Sequence, residues 1–165
     1  MPDTEVAWAA GLIDGEGCIF INKSKYVAAS RQVTPTFRLV LKVTMGCRKT
    51  VERLRDIFGV GTVQNHVPRG ERVNASYSWI CQSAQARTVF ELIKPHAVTK
   101  AAELDVALRF ASLPLNERGG KGGSSPVNPE LLNQREALYW ELRKLKSRWR
   151  FFEERLLEAG VHVPS

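Results

Sequence analysis

The sequence predicts an α+β fold, read as helix, two strands, helix, two strands and helix, with further helix after residue 95. Three observations predict it. The stretch PTFRLVLKVTM (35–45) alternates apolar and polar residues, the period of a half-buried strand. The stretch that follows, RKTVERLRDIF (48–58), instead puts Val51, Leu54, Ile57 and Phe58 on one helical stripe. Glycine and proline then punctuate the chain at Gly59, Gly61 and Pro95, where one period gives way to the next. At 165 residues, 44% hydrophobic and 25% charged, this reads as one domain with enough chain to bury a core. Its expected parts are a core of about 4–113, a loop of 114–127 and a helical extension of 128–160.

Each element has its own signal. Thr4 caps a short helix over 5–13, which Asp14 to Gly17 break. A strand over about 18–26 follows, with Ile19 and Ile21 alternating with Phe20, Asn22 and Ser24. In the next strand Phe37, Leu39, Leu41 and Val43 point one way, and Thr36, Arg38, Val40, Lys42 and Thr44 the other. After the second helix, 60–67 reads as a strand, 68–72 as a turn and 74–82 as the returning strand. Within that last strand the alternation does not decide whether Tyr77 and Trp79 or Ser76, Ser78 and Ile80 face the core. A helix over 84–94 stops before Pro95, and Thr99 caps another running to about 112. ERGGKGGSSPVNP is loop, and Asn128-Pro129 starts a last helix with Leu131, Leu138, Leu142, Leu145 and Trp149 on its stripe.

The charge balance of 24 basic against 17 acidic residues leaves +7, with a pI near 9.6. Such an excess fits a polyanionic partner. Cys18, Cys47 and Cys81 are odd in number and lack metal-like spacing, so they read as reduced thiols. No apolar run nears the roughly 18 residues of a membrane span, and the N-terminus lacks a signal-peptide pattern. The expectation is a soluble, intracellular protein with no membrane partner, in a bacterial or archaeal cytoplasm or an organelle.

One segment breaks a local rule. VAWAAGLIDGEG (6–17) is helical, yet Asp14 and Glu16 follow at the helix's negative end. Ala7, Ala10 and Gly11 lie on one face at three- and four-residue spacing, where small side chains let a second helix come close. If that second helix belongs to another copy, two-fold symmetry makes the two Glu16 carboxylates neighbours. Like charges that near need a cation between them, and oxygen ligands suit Mg²⁺. The residues alone leave a second reading open: 14–17 as a tight turn into a strand.

Ala9-Ala10-Gly11-Leu12-Ile13-Asp14-Gly15-Glu16-Gly17 resembles the signature of the LAGLIDADG homing endonucleases, seven of nine positions being identical or acid-for-acid. The resemblance extends through the strand–helix–GVG–strand order of 37–67 and through Ile93-Lys94-Pro95 to Lys100, over roughly 5–110. It implies an αββαββα core whose four antiparallel strands form a DNA-binding saddle, with C-terminal helices beyond. The motif occurs once, and single-motif members act as homodimers, so the implied dimer interface is Ala7, Ala10, Gly11 and Asp14. It implies further that Glu16 binds catalytic Mg²⁺, with Mn²⁺ as substitute, that the Gly15 carbonyl faces the metal, that Asp14 is chiefly structural and that Lys100 stands near the scissile phosphates. One family position, often a polar residue that orients water, falls on Met45 here, or on Thr44 if the register slips.

By the same resemblance Asn22, Ser24, Thr36, Arg38, Lys42, Gln64 and His66 line the saddle, while Arg31, Arg69 and Arg72 meet phosphates or flanking bases from loops. Each of these residues also has a plainer reading as part of a solvated face. The tail cluster Arg143, Lys144, Lys146, Arg148 and Arg150 reads better as a solvated helix face than as a phosphate contact. His96 and His162 carry no assignment. The implied function is a site-specific homing endonuclease of the intron or intein type. It makes a staggered break in a long pseudo-palindromic target of double-stranded DNA by Mg-dependent phosphodiester hydrolysis. The rival is a catalytically reduced relative serving as RNA maturase or DNA-binding regulator, which Met45 favours and Glu16 with Lys100 disfavours.

Overall fold

Alternation builds the sheet, and the sheet positions everything else. The computed structural model of the chain describes residues 2–27, 33–66, 75–114 and 128–146. In order these are α1 (Asp3–Glu16), β1 (Gly17–Val27), β2 (Val33–Met45), α2 (Arg48–Phe58), β3 (Thr62–His66), β4 (Ser76–Gln82), α3 (Ala84–Ile93), a 3₁₀ turn (Lys94–His96), α4 (Ala101–Ser112) and α5 (Pro129–Lys146). The α+β reading and its element order stand. The four strands form one antiparallel sheet in the order β1-β2-β4-β3.

Among the described residues, helices cover one face of this sheet and leave the other open. Ile19, Ile21, Leu39, Leu41, Val43, Trp79 and Cys81 point into the covered side and join Ile13, Leu54, Phe90 and Leu104 in one core. Direct strand partners share a face, so Asn22 with Arg38, Lys42 with Ile80, and Thr44, Ser78 and Gln64 in one row all lie on the open side. The undecided face of β4 is thereby settled. Trp79 is 0% exposed in the core and Tyr77 packs beside it.

Trp79 also explains the glycines after α2. Gly59 closes that helix in the left-handed region, φ +66, its N–H donating to the Arg55 carbonyl at 2.8 Å. Gly61 has φ +89, and a Cβ there would sit 2.4 Å from Trp79 Nε1 and 2.7 Å from Cys81 Sγ. The indole lies flat on Phe58, with ring centroids 5.5 Å apart, and donates to the Val60 carbonyl at 2.9 Å. Burial pushes the Cys81 thiol up to about 12, so it stays a protonated core group, whereas Cys18 and Cys47 are exposed free thiols.

Two element ends differ from expectation. Asp14 to Gly17 do not break α1, which runs through Glu16 and passes directly into β1 at Gly17. Its start is Asp3 after Pro2, with no side-chain cap from Thr4. Thr99 does not cap α4 either; Lys100 takes that position, and the acceptor for its neighbourhood comes from α1. Helix α5 packs on α4 and β1 through Leu131 and Leu142, and Arg135, nearly buried, donates to the Pro114 carbonyl at 2.6 Å.

Gly61→Ala should cost roughly 2–4 kcal/mol of stability, from overpacking against Trp79 together with a left-handed backbone. Gly59→Ala, with open space around its Cβ, should cost only about 1 kcal/mol. Urea unfolding measures both, and equal losses would refute the packing account of Gly61.

Candidate active site

The acids at the end of α1 are not an electrostatic error, because two helix ends of opposite sign meet there. Asp14 Oδ1 accepts the Lys100 backbone N–H at 2.7 Å, and Oδ2 accepts those of Thr99 at 2.8 Å and Val98 at 3.3 Å. These are donors at the start of α4, which no carbonyl of that helix can reach. The Lys100 ammonium in turn donates to the Asp14 main-chain carbonyl, one of the acceptors left over at the end of α1. A lysine in the first turn of a helix is ordinarily misplaced. Lys100 is compensated by folding back onto the negative end of another helix.

Burial alone would raise the Asp14 carboxyl, but hydrogen bonds from Thr99, Lys100 and Val98 outweigh it and hold the group below its ordinary 3.8. Asp14 is half-buried and fully engaged. Glu16, two residues on, is exposed and has no hydrogen bond or ion pair among the described residues. Gly15 is exposed too. The Ile13 carbonyl receives the Gly17 N–H and the Asp14 carbonyl receives Lys100, while the Gly15 carbonyl, in the same last turn, has no helical amide to meet. Gly17 must be glycine, since a Cβ would sit 2.4 Å from the Ile13 carbonyl oxygen. That tight passage from helix to strand leaves Glu16 exposed directly before the first residue of β1.

Val6, Ala9, Ala10 and Ile13 are the inward face of α1. Ala10 is 1% exposed within its own chain, so it does not belong to an outward small-residue stripe. That stripe is Ala7, Gly11 and Gly15, with Trp8 beside it under the Arg53 guanidinium at 4.5 Å. A Cβ on Gly11 or Gly15 would meet nothing within 4 Å.

The open face carries every described residue expected there: Asn22, Ser24, Thr36, Arg38, Lys42, Gln64 and His66. Ser24 and Thr36 hydroxyls are 2.7 Å apart, and Arg38 donates to Gln82 Oε1 at 3.2 Å. Arg31, Arg69 and Arg72 lie outside the described residues, as do Arg148, Arg150 and His162. Four polar residues of the open face carry no expectation from the sequence: Thr62, Ser76, Ser78 and Gln82. Met45 packs on the core side, so Thr44 is the residue presented outward at that point of β2. In the tail cluster, Arg143 lies 5.6 Å from the Tyr139 and Trp140 ring centroids. Lys146 donates to the Ile19 carbonyl at 2.7 Å. His96 Nε2 lies 3.4 Å from Asp3 Oδ1.

A four-stranded sheet backed by helices on one face among the described residues, with an acidic helix end directly before its first strand, is the αββαββα class of architecture. Residues 9–97 match the family model of the LAGLIDADG endonucleases, and the chain belongs to that family. No curated protein sequence matches it. Among solved structures it is similar to the homing endonuclease I-CvuI in complex with its target in the presence of 2 mM Ca, at 19% identity over 98% of both chains, TM-score 0.67. It is also similar to the archaeal intron-encoded homing endonuclease I-Vdi141I complexed with DNA, at 14% identity over 88% of this chain and 86% of that one, TM-score 0.68. The meganuclease I-SmaMI bound to uncleaveable DNA matches at 19% identity over 81% of this chain but 43% of its own, TM-score 0.58. Among the described residues no helix is long and apolar enough to cross a membrane.

Because the folded carboxyl of Asp14 lies below its unfolded 3.8, its stabilisation is present above that value. It is lost as pH falls through the depressed folded value. Asp14→Ala should cost about 1–2 kcal/mol at pH 6, as for loss of a helix cap. The gap to wild type should close in acid below pH 3.8. Denaturant midpoints across that range test it, and a gap that persists unchanged at the acid end contradicts the clasp.

Proposed function

We propose that the chain is one subunit of a homodimeric, site-specific DNA endonuclease. It holds a long pseudo-palindromic duplex on two open sheets and cuts both strands, with a stagger, by divalent-metal-dependent phosphodiester hydrolysis. Glu16 carries the reading. Of the two motif acids, Asp14 is committed to α4, and Glu16 alone stands exposed and without a described partner directly before the first strand of the sheet.

The donors there fit a hard cation. Mg²⁺ takes one or two carboxylates and keeps further positions for water and phosphate oxygen. The Glu16 carboxylate and the Gly15 carbonyl are oxygen donors of that kind and would hold it. Among the described residues no group of three or more His, Cys, Asp or Glu could hold a metal within one subunit. A cation shared between two copies and the DNA suits this set better than an all-protein cage. When bound, such an ion (Mg²⁺, or Mn²⁺ in its place) neutralises charge at phosphorus and activates water. Lys100 keeps a fixed positive charge at the junction, held by the Asp14 carbonyl, and the polar strand faces fix the register of the duplex. The Ca-containing complex of I-CvuI supports a divalent metal, and the DNA complexes of I-CvuI and I-Vdi141I support the partner.

Pairing of two copies rests on the outward stripe. Gly11 and Gly15 each cost a helix about 1 kcal/mol relative to alanine, and nothing among the described residues occupies the space a Cβ would take. A second α1 passing close by is a use for that space. The I-SmaMI chain, matched over only 43% of its length, has room for two such units. The rival reading, a maturase or regulator without cutting, draws on Met45, which packs against the core; Glu16 and Lys100, both present, favour cutting.

With Mg²⁺ and low salt, wild type should cut members of a randomised target library, and Glu16→Gln should cut at least about 100-fold more slowly. Failure of wild type to cut refutes the endonuclease, and equal rates refute the role of Glu16. Two subunits carry +14, twice the +7 of one chain, so affinity should fall steeply with salt. Gly11→Leu should shift sedimentation from dimer to monomer, whereas Gly11→Ala should stabilise the isolated fold by about 0.5–1 kcal/mol. A wild-type monomer, with and without DNA, contradicts the pairing.

A further inference from the structure

On the open face Thr44 of β2 and Ser78 of β4 are cross-strand partners, and His66 of β3, opposite Ser76, reaches Ser78 diagonally. Ser78 Oγ lies 2.7 Å from Thr44 Oγ1 and 3.0 Å from His66 Nε2. Ser78 is 0% exposed, whereas both neighbours are exposed. A buried hydroxyl must find its hydrogen bonds in the protein, and it owns a single hydrogen. That hydrogen serves one neighbour only.

Two arrangements satisfy all three groups. In the first, Ser78 donates to a bare His66 Nε2 and accepts from Thr44, whose own hydrogen is then spent inward. Thr44 offers only lone pairs outward. In the second, His66 donates from Nε2, Ser78 donates to Thr44, and the Thr44 hydrogen is free to point out. The trio is thus one relay with two settings, and the proton on His66 Nε2 selects between them.

The geometry points to Ser78 as a positioning residue that decides whether Thr44 presents an acceptor or a donor to a base edge, His66 choosing the setting. This rests on the reading of the open face as a DNA-binding surface. In the major groove adenine and cytosine offer amino hydrogens, while guanine and thymine offer oxygens. The acceptor setting therefore favours an amino group at the edge Thr44 meets, and the donor setting favours an oxygen or a purine N7. Specificity at that base pair is set by a hydrogen that never touches DNA.

The test uses chemistry at position 66 that permits one setting only. Lysine has donors alone and forces the donor setting; an ionised glutamate accepts alone and forces the acceptor setting. Binding preferences of full-length His66→Lys and His66→Glu are measured on duplex libraries, each with and without Ser78→Ala or Thr44→Val. The two variants should shift preference at one shared base pair in opposite directions, by roughly fivefold each, the size of one net hydrogen bond. Either Ser78→Ala or Thr44→Val should abolish that opposition. Direct contacts of residue 66 with DNA would survive both changes, so opposite shifts that persist, or no shared base pair that responds, overturn the relay while the DNA-binding face stands. Absence of any sequence-preferring duplex binding by wild type overturns both.

Discussion

The structure depends on one clasp: a carboxylate at the end of α1 holding the start of α4. Asp14 bridges 84 to 86 residues of sequence when it accepts the N–H groups of Val98, Thr99 and Lys100. Lys100 returns the contact through its ammonium on the Asp14 carbonyl. Each end alone would be unfavourable, an acid at a negative pole and a lysine at a positive one. Joined, they cancel, and the hydrogen bonds outweigh the cost of burying the carboxyl. The clasp also divides labour between the two motif acids. Asp14 is consumed by architecture, and among the described residues Glu16 has no partner.

The sheet extends that division. Its covered face is apolar at Ile19 and Ile21 of β1, Leu39, Leu41 and Val43 of β2, and Trp79 and Cys81 of β4, so the register of these three strands is pinned, because a slip of one residue would turn them outward. A pinned register makes the open face rigid at no cost to its own composition. Polar side chains there are free to be chosen for recognition, and they brace one another, as Ser24 does Thr36 and Arg38 does Gln82. Ser78 is the exception in burial, and it is satisfied on both sides.

What could be read from the sequence follows from how local each signal is. In β2 leucine and valine on one side face arginine, lysine and threonine on the other, so the faces are plain, and Asn22, Ser24, Thr36, Arg38 and Lys42 lie where alternation puts them. In β4 serines alternate with tyrosine, tryptophan and isoleucine, and both faces look serviceable. The decision is made by Gly61 and Phe58, which build the seat for Trp79 from another element. The end of α1 is hard to read for a related reason: the dipole rule sees one helix, and the helix that compensates it lies far along the chain. Ala7, Ala10 and Gly11 form two small faces in a helix wheel, and spacing cannot say which is inward; Val6, Ala9, Ala10 and Ile13 took the core.

The residue choices that stability does not explain are those that face outward on α1. Gly17 and Gly61 have no room for a methyl group, so the fold accounts for them. Gly11 and Gly15 have room, lie in a helix and weaken it. A sequence consistent at every other level, from strand alternation to helix ends, breaks its own rule at the surface beside Glu16. The same surface keeps Trp8 36% exposed under Arg53 and Val98 83% exposed beside the clasp. Glycine where alanine would fit, apolar side chains where polar ones would serve and a carboxylate without a partner among the described residues occur together along the outward side of α1 and the clasp at its end. In the proposed dimer a second copy of the helix would account for the first two, and a shared cation for the third.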